Sequence, residues 1–160
     1  MNDVIPEYLL TGRFRPRSSL KTISNAMDVG DPSNFERLQV AFGGSVGQMR
    51  KWIRGIRITD PETRRTMRRV YEEAGMLIDP HTAVGVLAAR RYREQTGYRG
   101  QILSLATAHP GKFLDTVREA TGVTPDLPAA LTEALSKEKQ AVALKPSLDL
   151  LRGFLLDRYS

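Results

Sequence analysis

Gln101-Ile-Leu-Ser-Leu-Ala-Thr-Ala-His-Pro-Gly-Lys-Phe113 is the stretch that decides the fold class. Residues 101–106 form a short apolar run between Gly100 and the turn at His109-Pro110, which predicts a buried strand. Beyond the turn, Phe113 and Val117 recur at helical spacing, predicting a helix over 111–120 that Gly122 closes. Strand, turn and helix in succession belong to an α/β arrangement. Open sheets of that kind place ligands beyond the carboxyl ends of their strands, and Thr107 stands immediately past this one.

Most of what surrounds this stretch reads as helix. Asn2 and Asp3 cap a short helix through Leu10, ended by Thr11-Gly12 and followed by the basic loop 13–17; residues 20–23 are a candidate strand. Asp31-Pro32 starts a helix that turns Phe35, Leu38 and Phe42 inward and stops at Gly43-Gly44. Residues 45–53 form the next, with Trp52 read as a packing residue. Asp60-Pro61-Glu62 combines a cap, a first-turn proline and an acidic first turn, predicting a helix over 61–74. Asp79-Pro80-His81 opens another, with Ala83, Val84, Leu87 and Ala88 inward and Arg90, Arg91 and Arg93 outward. Short helices follow over 128–135 and 146–159, the latter with a leucine face (Leu148, Leu151, Leu155, Leu156) expected to pack on the body.

Composition narrows the chemistry. With 160 residues, 41% of them hydrophobic, the chain can bury a core of useful size. It has no cysteine, which excludes disulfides, a thiolate nucleophile and zinc-thiolate sites. His81 and His109 are the two histidines, and neither has a second ligand-type residue at metal spacing, so no metal site is expected. No apolar run approaches the roughly 18 residues of a membrane span, and no membrane partner is expected. The net charge is +6, with Arg64, Arg65, Arg68 and Arg69 at helical spacing on one side. They read as a solvated face or a contact to another part of a larger protein. Nucleic acid is not expected, because no aromatic residues interleave with them for stacking.

Three segments carry a family resemblance. Thr22-Ile-Ser-Asn-Ala-Met-Asp-Val-Gly-Asp-Pro-Ser-Asn-Phe-Glu-Arg37, Asp79-Pro-His-Thr-Ala-Val-Gly85 and Ala106-Thr-Ala-His-Pro-Gly-Lys-Phe113 together resemble the C-terminal part of threonine synthases, in that family's order and at similar separations. The resemblance implies an α/β chain that is the C-terminal portion of a fold type II, tryptophan-synthase-like enzyme dependent on pyridoxal 5'-phosphate, predominantly helical within this fragment with few strands. It also implies a cytoplasmic enzyme of threonine biosynthesis, a carbon-oxygen lyase acting on phosphates, that converts O-phosphohomoserine and water to threonine and phosphate. The family's Schiff-base lysine and glycine-rich phosphate-binding loop lie upstream of the Ser-Asn-Ala-Met-Asp segment. Residues 1–160 are accordingly read as a C-terminal segment rather than a complete catalytic domain, inactive alone and not expected to bind the cofactor covalently. An upstream catalytic portion, or a separate chain carrying it, is the implied partner; self-association through uncovered apolar faces is also expected. The alternative is a non-catalytic subunit or interaction module working with a separately encoded catalytic half.

The site residues follow from the same likeness. Enzymes of this fold place a serine or threonine hydroxyl opposite the pyridine nitrogen, and Thr107 matches that role. Catalytic residues are expected outside this chain; Lys112 belongs to the Ala106–Phe113 phrase and is not the Schiff-base lysine. His109, His81, Ser24, Asn25 and Asp28 are candidate pocket-lining residues, each with a structural reading beside it: turn or cap packing for the histidines, loop-holding for the other three.

Overall fold

The structure, a computed structural model, describes residues 2–159, which divide into two compact units between Asp126 and Leu127. In the first unit, α1 (Val4–Thr11) ends at Gly12, whose φ of 76° is a left-handed conformation that glycine adopts without strain. Next come α2 (Phe35–Ala41), α3 (Val46–Trp52), α4 (Asp60–Ala74) and α5 (Pro80–Thr96). A 3-10 turn (Pro110–Phe113) then runs into α6 (Leu114–Thr121). The second unit holds α7 (Ala129–Ser136) and α8 (Leu148–Tyr159).

Two apolar clusters hold the first unit together. Tyr8, Leu9, Phe35 and Met49 join α1, α2 and α3, with the Phe35 ring stacked on Phe14 at 4.6 Å and meeting Tyr8 edge-on at 4.8 Å. Met67, Val70, Ile78, Ala83, Val117 and Ala120 join α4, α5 and α6. Met67, Ala83 and Val117 are completely buried there. A Met67→Ala change is expected to cost about 2–5 kcal/mol through lost apolar burial and the cavity it leaves. The α4 start has the predicted cap: the Glu62 carboxylate reaches back to accept from the Thr59 amide at 2.8 Å and the Thr59 hydroxyl at 2.7 Å.

Helix α2 begins at Phe35, later than Asp31-Pro32 suggests, after a turn closed by Phe35 N–H donating to the Pro32 carbonyl at 3.0 Å. Neither expected strand forms; among the described residues there is no strand at all. Around 20–23, side chains have taken the groups a ladder would use. Asn2 bonds both the amide and the carbonyl of Leu20 at 2.8 Å, while the amides of Thr22 and Ile23 donate to Asp28 and Asp60. Around 101–106 the cause is opposite: among the described residues, no backbone group of this segment finds a partner. Leu103 and Leu105 are 90% and 81% exposed, so the strand's apolar pattern is present without a neighbouring strand to complete it. The segment lies against α5 at Gly85, where an added Cβ would meet the Ser104 hydroxyl oxygen at 2.6 Å and turn that side chain aside.

Trp52 is not a packing residue. It is 81% exposed, and with Tyr92, Tyr98, Leu103 and Leu105 it lines an open groove of about 780 Å³. In the second unit, Leu148, Leu151, Leu155 and Leu156 of α8 are exposed. No helix of the described residues is long and apolar enough to cross a membrane.

Candidate functional site

The three sequence segments singled out above meet at one imidazole. Asp79 caps α5 and is buried to 1% exposure; one carboxylate oxygen accepts from the His81 amide at 2.9 Å and lies 2.8 Å from His81 Nδ1. Its other oxygen accepts from the Thr82 hydroxyl. A carboxylate only accepts, so Nδ1 of the neutral ring carries the proton and Nε2 is left as the acceptor. The Ala26 amide donates to that Nε2 at 3.3 Å, and the ring lies 5.0 Å from the ring of Phe113. His81 thereby ties the Asn25–Met27 turn and the Pro110–Phe113 turn to the start of α5.

The loop so held is braced from within. Asp28 accepts from the Thr22 amide at 2.9 Å, the Thr22 hydroxyl at 2.7 Å and the Asn2 side chain at 2.9 Å. Asp28 is therefore a loop-holding residue. At the loop's end, Gly30 packs so tightly that a Cβ would lie 1.9 Å from the Arg17 carbonyl oxygen, which excludes any larger residue. Asn25 is exposed, whereas Ser24 is half-buried and lines a cavity of about 120 Å³ with Thr22, Met27, Arg57 and Asp60.

Electrostatics at this cavity are set by Asp3 and the arginines beside it. Burial pushes the Asp3 carboxyl up, but the hydrogen bond from Arg17 and the charges of Arg17 and Arg57 outweigh that and hold it below its ordinary value. Arg17 lies 2.5 Å from Asp3 and Arg57 lies 3.5 Å from it.

The remaining candidates lie elsewhere. Thr107 and His109 do not line this cavity. Thr107 is exposed, and its hydroxyl has no hydrogen-bond partner among the described residues. His109 Nδ1 accepts from the Gly111 amide at 3.0 Å, so its ring caps the turn that follows Thr107. His81, with both ring nitrogens engaged, positions backbone and is not free to act as a base. The arrangement is a scaffold that presents Ser24 at one place and a free Thr107 hydroxyl at another. Sequence reasoning missed Asp79 and Arg57. Asp79 reads as an ordinary cap, and only its two-residue spacing to His81 hints at a carboxylate–imidazole contact.

Comparison with known proteins places this scaffold. The family "Threonine synthase, C-terminal" matches residues 82–155. Threonine synthase from Escherichia coli (strain K12) is 37% identical over 133 residues, covering 83% of this chain and 30% of that protein. Threonine synthase from Serratia marcescens is 35% identical over 155 residues, covering 97% of this chain and 35% of that protein. The crystal structure of threonine synthase from Escherichia coli superposes with a TM-score of 0.82 at 32% identity, over 99% of this chain and 36% of that one. These matches define a helical C-terminal portion of a fold type II enzyme. The chain belongs to the threonine synthase family. It spans about a third of the length of the curated relatives it matches.

Proposed function

We propose that this chain works as the C-terminal part of a threonine synthase, within a whole enzyme that converts O-phosphohomoserine and water to threonine and phosphate. The observation that carries this reading is the superposition on the Escherichia coli enzyme across 99% of the chain. A related structure, threonine synthase from Brucella melitensis, is described as bound to pyridoxal phosphate, and it superposes with a TM-score of 0.68 at 31% identity over 96% of this chain and 38% of that one. Pyridoxal phosphate, when bound in the whole enzyme, supplies the electron sink for the reaction.

What this chain contributes is orientation. The Thr107 hydroxyl, exposed and without a partner in the described chain, suits a donor to the ring nitrogen. A neutral hydroxyl in that place would donate to an unprotonated ring nitrogen, whereas a carboxylate would favour the protonated form. Ser24, in the loop that His81 and Asp28 brace, is the chain's second candidate for a polar contact within the pocket. The Schiff-base lysine and the phosphate-binding loop belong to the upstream two-thirds of the enzyme in this reading, so the isolated chain is inactive.

A chimera tests the proposal. Residues 1–160 would replace the matching C-terminal third of the Escherichia coli enzyme in a threonine auxotroph. Growth without threonine, with phosphate released from O-phosphohomoserine by the purified chimera, is the expected result. A folded, cofactor-loaded chimera that releases no phosphate would overturn the reading.

A further inference from the structure

The arginines of α4 do not share one face. Arg64 lies 3.3 Å from Glu119, and Arg68 Nε donates to the Ala120 carbonyl at 2.9 Å, so these two fasten α4 to α6. Arg65 and Arg69 instead line a cleft of about 280 Å³ with Glu62, Arg90 and Arg91, between α4 and α5.

The guanidinium groups of two helices already converge on one carboxylate, that of Glu73, which does not itself line the cleft. Arg69 Nε and Arg90 Nη2 donate to the two oxygens of Glu73 at 2.5 and 2.7 Å. Arg91 is committed to Glu62 and to the Arg57 carbonyl. Arg65 has no ion-pair partner among the described residues. Four guanidinium groups stand against the carboxylates of Glu62 and Glu73 and the charge of Glu94, which also acts on Arg69, so the local balance is positive by one.

We propose that the cleft between α4 and α5 binds a phosphate dianion, either inorganic phosphate or a phosphate monoester, through Arg65, Arg69 and Arg90. The local positive excess favours an anion, and the several oxygens of a phosphate can each accept from a planar arginine fork, as a single carboxylate cannot. Glu73 is half-exposed and can turn into solvent, so Arg69 and Arg90 become available without breaking the core. The Glu62–Arg91 pair remains as the fixed wall. Neither Ser24 nor Thr107 lines this cleft, so the inference stands apart from the proposed activity.

The test is titration of the 160-residue chain at pH 7.5 and low salt with inorganic phosphate and, separately, with glycerol 3-phosphate, followed by calorimetry and by arginine Nε–H resonances. Saturable binding that shifts the Arg65, Arg69 and Arg90 signals, with sulfate competing, is expected. Each of Arg65→Gln and Arg90→Gln should weaken it about tenfold, the loss of one charge-assisted hydrogen bond. Arg99→Gln, outside the cleft, should leave it unchanged, and circular dichroism would verify that each variant folds. The ratio of the two affinities identifies the source: a preference for the ester points to a phosphorylated metabolite, equal or weaker ester binding to free phosphate. Non-saturable phosphate binding, or affinity indifferent to both cleft variants, overturns the proposal. So does a single-stranded oligonucleotide that shifts the same arginines while phosphate does not.

Discussion

The Asp79 carboxylate holds His81 twice, at its amide and at its Nδ1, and in doing so turns the opposite ring nitrogen toward the amide of Ala26, 55 residues earlier in the chain. A helix cap has become the anchor of a distant loop. Asp79 is buried and accepts three hydrogen bonds, so Asp79→Ala removes a cap and strands the Thr82 hydroxyl and the His81 ring. The expected loss is about 2–3 kcal/mol, read as a lower urea midpoint of the chain. A loss under about 0.5 kcal/mol, the size of a surface substitution, would show that the network is incidental.

Substitutions at His81 should separate its bulk from its acceptor. Glutamine can still accept from the Ala26 amide, whereas leucine fills the space beside Phe113 without accepting. Hydrogen exchange at Ala26 is therefore expected to quicken in His81→Leu and to stay nearer the wild-type rate in His81→Gln. Equal rates in all three proteins would mean that the 3.3 Å contact does not hold the loop.

Thr107→Val should leave the stability of the chain within about 0.5 kcal/mol, because its hydroxyl has no partner among the described residues. In the chimera the same change should reduce turnover by about fivefold, corresponding to one net hydrogen bond of about 1 kcal/mol, and alter the cofactor absorbance spectrum. Unchanged turnover and spectrum would remove Thr107 from the cofactor site while leaving the family assignment intact.

Glu62 gives a pH dependence. Hydrogen bonds from the Thr59 amide and hydroxyl, then from Arg91, lower its carboxyl from 4.5 to about 2. A folded value below the unfolded one means that the stabilisation is complete above about pH 4.5 and is lost as the pH falls toward 2. Glu62→Gln should therefore flatten the stability profile across that interval. A variant profile parallel to the wild type would contradict the assignment.

The open groove makes a prediction about size. Trp52, Leu103 and Leu105 are each more than 80% exposed, and residues 101–106 offer unpaired backbone groups beside them. Sedimentation of the isolated chain should show self-association that Leu103→Lys reduces without lowering stability. A strictly monomeric chain at all concentrations would show that this surface is tolerated in water.

The elements that were legible in the sequence are those whose signals are local. Capping and proline placement at Asp60-Pro61 and Asp79-Pro80 located α4 and α5, and the Phe113–Val117 spacing located α6. The strand reading of 101–106 failed for a non-local reason: apolar residues describe a strand's readiness to pair, while the pairing itself needs a second segment. Residues 20–23 failed because Asn2, Asp28 and Asp60 reach their amides from other parts of the chain, which no window of sequence displays.

The sequence by itself determined the helical frame, the absence of thiol chemistry and the family likeness, because each depends on residue identity and short spacing. Tertiary structure alone decided that His81 positions a loop, that Asp28 braces it, and that the four arginines of α4 divide between a helix contact and a cleft. Those roles depend on which groups lie within hydrogen-bond distance after α4, α5 and α6 have packed around Met67 and Val117. Such proximity is a property of the packed core, and spacing along the chain does not encode it.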